Sequence, residues 1–150
     1  MFKHLLVPTD GSTMSIETRD RAITFAQETG AKLTFFHVKP EFPIALYGEG
    51  ALVDPTTPQQ FSELADQQAK SILDACMDKA KTAGVACDSR SQTSSSVHGA
   101  IVAAANEVGA DLIFMASHGR RGLSSLLLGS ETHKVLTHST IPVLVFRQPQ

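Results

Sequence analysis

The sequence predicts a single-domain α/β fold, an open five-stranded parallel sheet with helices on both faces. Three observations carry that expectation. Short apolar runs alternate with longer amphipathic segments along the chain, the pattern of parallel strands joined by right-handed helical crossovers. A length of 150 residues suits one domain with a sizeable core. No internal repeat, low-complexity tract or linker divides residues 1–150.

Residues 3–7 form an apolar run stopped by Pro8-Thr9-Asp10-Gly11-Ser12, a strand entering a tight loop. Ser12 or Thr13 can cap the helix that follows. Glu17, Asp20 and Glu28 mark its polar side, Ile16, Ile23 and Phe25 are among its apolar positions, and Gly30 stops it. Residues 33–38, "LTFFHV", read as a second strand apolar enough to be covered on both faces. Residues 39–58 carry four prolines and two glycines with no steady period, so they form the long irregular segment.

Pro58 suits the first turn of a helix, and residues 59–83 hold good helix formers throughout. Leu64, Ala65, Ala69, Ile72, Leu73, Cys76 and Ala80 recur at helical spacing as one buried stripe, and Gly84 ends it. Residues 85–93 alternate weakly and predict an edge-like strand. Ser94, Ser95 or Ser96 caps a short helix over 97–108, closed by Gly109. Residues 111–115, "DLIFM", are another buried strand, 131–138 a last helix begun by Gly129-Ser130, and 141–146, "IPVLVF", the closing strand. Pro142 is confined to its start.

Composition excludes several classes. A net charge of −2 gives no electrostatic case for nucleic acid or an anionic membrane. No stretch approaches the roughly 18 consecutive apolar residues of a membrane span, and the opening residues do not read as a secretory signal. A cytoplasmic location follows as the expectation. Cys76 and Cys87 then read as free thiols. His133 and His138 lie five apart and do not share a helix face as a metal pair would.

In open parallel sheets, ligands bind beyond the carboxyl ends of the strands where strand order reverses. The first and fourth strands are the expected neighbours there, because their exit loops carry special chemistry. Asp10 follows the first strand directly and could bond a sugar hydroxyl or ring amine; equally, Asp10-Gly11-Ser12 could be a turn plus a helix cap. The fourth exit is "ASHGRRGLSSLLLGSETHK", residues 116–134. Gly119 and Gly122 let backbone N–H groups approach anionic oxygens. Gly129-Ser130 opens a helix whose free N–H groups favour phosphate. Arg120 and Arg121 could add charge or simply be solvated. Alternatively Ser130 caps its own helix, with Glu131 favourable in the first turn. Ser117 beside His118 is set aside as a nucleophile, since adjacent loop residues rarely meet and no acid is placed nearby. No P-loop lysine pattern is present.

"LLVPTDGS", "FFHV" at 35–38, and a Gly-x2-Gly-x9-Gly-[Ser/Thr] signature followed by "IPVLVFR" together carry a resemblance. The chain resembles the universal stress proteins of the UspA type over its whole length. Its signature runs Ala116-Ser117-His118-Gly119, nine residues, then Gly129-Ser130, with Ala116 in place of the first glycine. The resemblance implies a Rossmann-like or flavodoxin-like fold of the adenine-nucleotide-binding type, with ATP and Mg²⁺ as ligands. It places adenine and ribose near Pro8, Thr9, Asp10 and Val38, and the phosphates against Ala116, His118, Gly119, Gly129 and Ser130, with Glu131 beside them. It implies a homodimer through the last strand, an unknown protein client, and a regulatory role in stress rather than an enzyme. A nucleotide-free interaction module and a slow ATP hydrolase stay open as alternatives. Only the hydrolase needs a residue to position water, and Asp10 and His118 are the nearest candidates. Ala116 is expected to keep a negative φ.

Overall fold

The computed structural model describes residues 1–43, 57–119 and 127–149. Its elements alternate as β1 (His4–Pro8), α1 (Thr13–Thr29), β2 (Lys32–Lys39), α2 (Pro58–Thr82), β3 (Cys87–Thr93), α3 (Val97–Val108), β4 (Leu112–Ala116), α4 (Ser130–His138) and β5 (Val143–Phe146). The strands form one sheet in the order β3-β2-β1-β4-β5, every pairing parallel. The chain therefore moves outward one way through β2 and β3, returns, and moves the other way through β4 and β5. The reversal lies between β1 and β4, which pair Leu5 with Leu112 and Leu6 with Ile113.

Strand alternation divides the core in two. Leu5, Val7, Leu33, Phe35, Leu112 and Phe114 face α1 and α2, where they meet Ala22, Ile23, Ala26, Leu73, Cys76 and Ala80. Leu6, Phe36, Ile113 and Met115 face the other way, against Ala100, Ile101, Ala104 and Ala105 of α3 and Val135 of α4. The three central strands are thus apolar at consecutive positions, as a sheet covered on both faces requires. Each fully buried Leu or Ile contributes about 1.5–3 kcal/mol relative to exposure. β3 is the polar edge, exposed from Asp88 to Thr93.

Local signals set the helix ends. Ser12 caps α1 through the Ser15 N–H, Thr57 and Gln60 make a reciprocal capping box on α2 with Pro58 behind it, and Ser96 caps α3. Gly30 and Gly109 close α1 and α3. Two apolar assignments fail. Ile16 and Leu64 are solvent-exposed, at 43% and 56%. The buried faces run mostly through small residues, Ser15, Thr18, Ala22 and Ala26 on α1 and Ala65, Ala69, Cys76 and Ala80 on α2, with Ile23 and Leu73 as their large members. Small side chains let a helix sit close to the sheet, and Ile16 and Leu64 fall outside that line of contact.

Cys76 is a core thiol and Cys87 a half-buried one at the start of β3; both are free. Most of the irregular segment, residues 44–56, lies outside the described residues, as do Arg120, Arg121 and Gly122. Among the described residues no helix is long and apolar enough to cross a membrane.

Candidate functional site

The first exit loop is built on local turn and cap bonds and on bonds to the end of β2. The Thr9 N–H extends the β1–β2 ladder to the Phe36 carbonyl at 2.8 Å. Asp10 Oδ1 accepts the Ser12 N–H at 2.9 Å, and Gly11 between them has φ +78°, which a side chain would resist. Ser12 then caps α1, so Asp10 makes the turn and stands at the strand end together. His37 Nδ1 donates to the Thr9 carbonyl at 2.8 Å, because a carbonyl can only accept, and this holds the ring against the loop.

The second exit loop is closed by bonds between the start of α4 and the end of β4. The Gly129 N–H donates to the Ser117 carbonyl at 2.7 Å. The Thr132 hydroxyl donates to the Ala116 carbonyl at 2.9 Å and approaches that of Ser117 at 3.3 Å. The start of α4 is thereby tied to the end of β4. A Cβ on Gly129 would stand 3.1 Å from the Ser117 carbonyl oxygen and 3.3 Å from His118 Cα, so close backbone approach requires glycine here. Gly129 is the N-cap and supplies no side-chain bond; Ser130 is the first helical residue and is not its cap. The first turn of α4 is therefore left for solvent or a ligand.

Loops one and two meet. A Cβ on Gly119 would lie 2.8 Å from Asp10 Oδ2. Between the loops opens a cleft of about 560 Å³, within the range of small-ligand sites. The ten residues that the resemblance assigns to the ligand all line it, while Arg120, Arg121 and Gly122 lie outside the described residues. Pro8, Thr9, Asp10 and Val38 come from β2 and from the end of β1 and its exit loop, Ala116, His118 and Gly119 from the end of β4 and its exit loop, and Gly129, Ser130 and Glu131 from the N-cap and first turn of α4.

Sequence reasoning missed other lining residues. Phe36 and Met115 precede assigned positions on their strands, and with Val97 and Ile101 of α3 they make an apolar wall. Strand-end position could have found the first two, and the four-residue spacing of Val97 and Ile101 on a cleft-facing helix the others. Ser15, His37, Ser95 and Thr132 complete the polar side.

Glu131 has a second engagement. Its Oε2 accepts the His98 N–H at 2.8 Å and His98 Nδ1 at 3.2 Å, while Oε1 stands 3.5 Å from Lys134 Nζ. The carboxylate that borders the cleft thus also anchors the N-terminus of α3 to α4. His118 differs from expectation too. Ser117 and His118 do meet, Oγ to Nδ1 at 3.0 Å, because the strand end turns both side chains inward. Ser117 itself is 1% exposed and is not part of the cleft wall, which removes it as a nucleophile.

A parallel α/β sheet with a ligand-sized cleft at its reversal point, floored by one Asp-Gly-Ser turn and one glycine-lined helix N-terminus, is the arrangement in which open α/β sheets commonly hold ligands. The model of the universal stress protein family matches residues 1–147, and the chain belongs to that family. Universal stress protein YxiE of Bacillus subtilis is 34% identical over 151 aligned positions, covering 98% of this chain and 100% of that protein. The solved structure of protein MJ0577 from Methanocaldococcus jannaschii superposes with a TM-score of 0.80 at 26% identity, covering 100% of this chain and 99% of that one. A universal stress protein solved in complex with cAMP gives a TM-score of 0.70 at 27% identity, with 99% of each chain covered.

Proposed function

We propose that this chain binds an adenine nucleotide, ATP with Mg²⁺, in the cleft between β1 and β4, and that it acts as a homodimer in stress regulation rather than as a catalyst. The observation that carries the reading is the convergence of all ten sequence-assigned residues on one cleft at the strand-order reversal. The cAMP complex of a structural relative supports the ligand class.

The residues present fit such a ligand. Phe36, Val38, Val97, Ile101 and Met115 offer an apolar wall for a base. Asp10 stands where a ribose hydroxyl would need an acceptor. Gly129, Ser130 and the uncapped first turn of α4 would receive phosphate oxygens, which the positive end of a helix dipole favours. Bound Mg²⁺ would supply charge neutralisation to the phosphates. Among the described residues β5 has a partner strand on one side alone, and its half-buried residues 143–146 are apolar; pairing with a second copy would cover that edge.

Calorimetric titration of the wild type and Gly129→Val with Mg-ATP tests the site. Wild type should bind, and valine should weaken binding at least tenfold by parting the Ser117 and Gly129 backbones. Equal affinities would remove the nucleotide from this cleft, and no binding by either would favour a nucleotide-free interaction module.

A further inference from the structure

We propose that Ser117 is a positioning residue for the cleft, its hydroxyl holding His118 in the tautomer that presents Nε2–H to a phosphate oxygen of the ligand. The proposal rests on the adenine-nucleotide reading and names one donor within it.

Ser117 has its backbone fully committed. Its N–H donates to the Phe146 carbonyl at 2.9 Å, and its carbonyl receives the Gly129 N–H and the Thr132 hydroxyl. Its side chain is buried, and the hydroxyl has one partner among the described residues, His118 Nδ1 at 3.0 Å. Two proton arrangements are open to that pair. If Nδ1–H donated, the serine O–H would be buried without an acceptor and Nε2 would be a buried lone pair without a donor. If the serine O–H donates, Nδ1 is satisfied and only Nε2–H remains unmet. The second arrangement leaves fewer buried polar groups stranded and is the favoured one.

Nε2 then becomes the informative atom. It is buried and has no hydrogen-bond partner among the described residues, on a side chain that is 8% exposed and lines the cleft. A buried donor without an acceptor is costly, and an incoming anionic oxygen relieves that cost with a charge-assisted bond. His118 sits between Gly119 and the Gly129 backbone, beside the α4 N-terminus, which is the phosphate end of the cleft. In that tautomer the ring's lone pair is on Nδ1 and is engaged by the Ser117 hydroxyl. The ring can donate from Nε2 to a phosphate oxygen but has no free lone pair with which to take a proton from water, so the device favours holding a nucleotide over hydrolysing it.

Two measurements decide the matter, ¹⁵N–¹H correlation spectra of the His118 ring at neutral pH and titrations with AMP and with adenosine. Wild type should show the proton on Nε2. Ser117→Ala should let the two tautomers mix and weaken AMP about tenfold, equivalent to ~1.4 kcal/mol, while adenosine binding stays unchanged. Ser117→Cys preserves the shape with a weak donor and should behave like alanine, which separates the hydrogen bond from packing. A wild-type proton on Nδ1 would overturn the proposal. So would a Ser117→Ala protein that keeps its AMP affinity, or loses AMP and adenosine equally. Wild type that binds neither probe overturns the nucleotide reading instead, and the Ser117→Ala spectrum still decides what Ser117 does to His118.

Discussion

Asp10 and Gly119 make the contact that joins the two exit loops, and a double-mutant cycle can measure it. Gly119 lies outside the left-handed region, so alanine can adopt its backbone without strain. The obstacle is spatial. The new Cβ would stand 2.8 Å from Asp10 Oδ2, whereas carbon–oxygen contacts settle near about 3.4 Å. The carboxylate must therefore withdraw by roughly 0.6 Å, and its other oxygen holds the Ser12 N–H at 2.9 Å at the start of α1. A hydrogen bond to a charged group is worth about 1.5–3 kcal/mol, and stretching it should forfeit part of that. Gly119→Ala should destabilise the protein by about 1–2 kcal/mol, within the usual range for overpacking. In an Asp10→Ala background the clash is gone, and the same substitution should stabilise by roughly 0.4–1 kcal/mol through the unfolded state. Urea denaturation of the four proteins gives both values. An equal cost of Gly119→Ala in the two backgrounds would refute the contact.

Two further outcomes follow from other parts of the molecule. His4 is buried with Nε2 2.7 Å from the Thr34 hydroxyl; burial first, and then Lys32, push its pKa below the ordinary 6.5, against the opposing pull of Asp88 and Asp111. The folded state thus resists protonation that the unfolded chain accepts, so His4 contributes fully above about pH 6.5 and loses its contribution as pH falls through the folded value. Urea midpoints should decline between about pH 7 and pH 5, and His4→Gln should flatten that decline; an unchanged slope in the variant would place the titration elsewhere. At the other edge, Val143→Lys with Val145→Lys should convert a dimer to a monomer in sedimentation equilibrium, and a dimer that survives would move the interface away from β5.

The division between what was legible in sequence and what was not follows the range of the interactions. Ser12, Ser96, Gly30 and Gly109 act within a few residues of where they stand, so capping chemistry located these helix ends directly. The neighbouring of the first and fourth strands was expected from two loops whose chemistry suits a common crevice, and β1 does pair with β4. The contacts that shape the cleft span greater distances. Thr132 reaches back sixteen residues to Ala116, Glu131 reaches thirty-three to His98, and Gly119 meets Asp10 from another strand altogether. No local pattern encodes such meetings. Ile16 and Leu64 show the same limit from the other side, because periodicity identifies a helix while the depth of its small-residue face decides what is buried.

Ala116 brings these ranges together at one position. A glycine in a signature can serve conformation or closeness, and alanine separates the two. No non-glycine residue among the described ones has a positive φ, so Ala116 is ordinary strand backbone. It pairs with Phe146 across β4 and β5, and its carbonyl accepts the Thr132 hydroxyl that ties α4 to the sheet. Those roles belong to the main chain, which a methyl group leaves intact, and alanine reduces the freedom of the unfolded chain relative to glycine. The fold therefore loses nothing by the replacement. What glycine would add at this position is space at the cleft wall, so on the proposed nucleotide reading any cost of Ala116 would fall on the ligand and not on the protein's stability. Gly129 is the opposite case: there the missing Cβ is demanded by the Ser117 and His118 backbone before any ligand arrives.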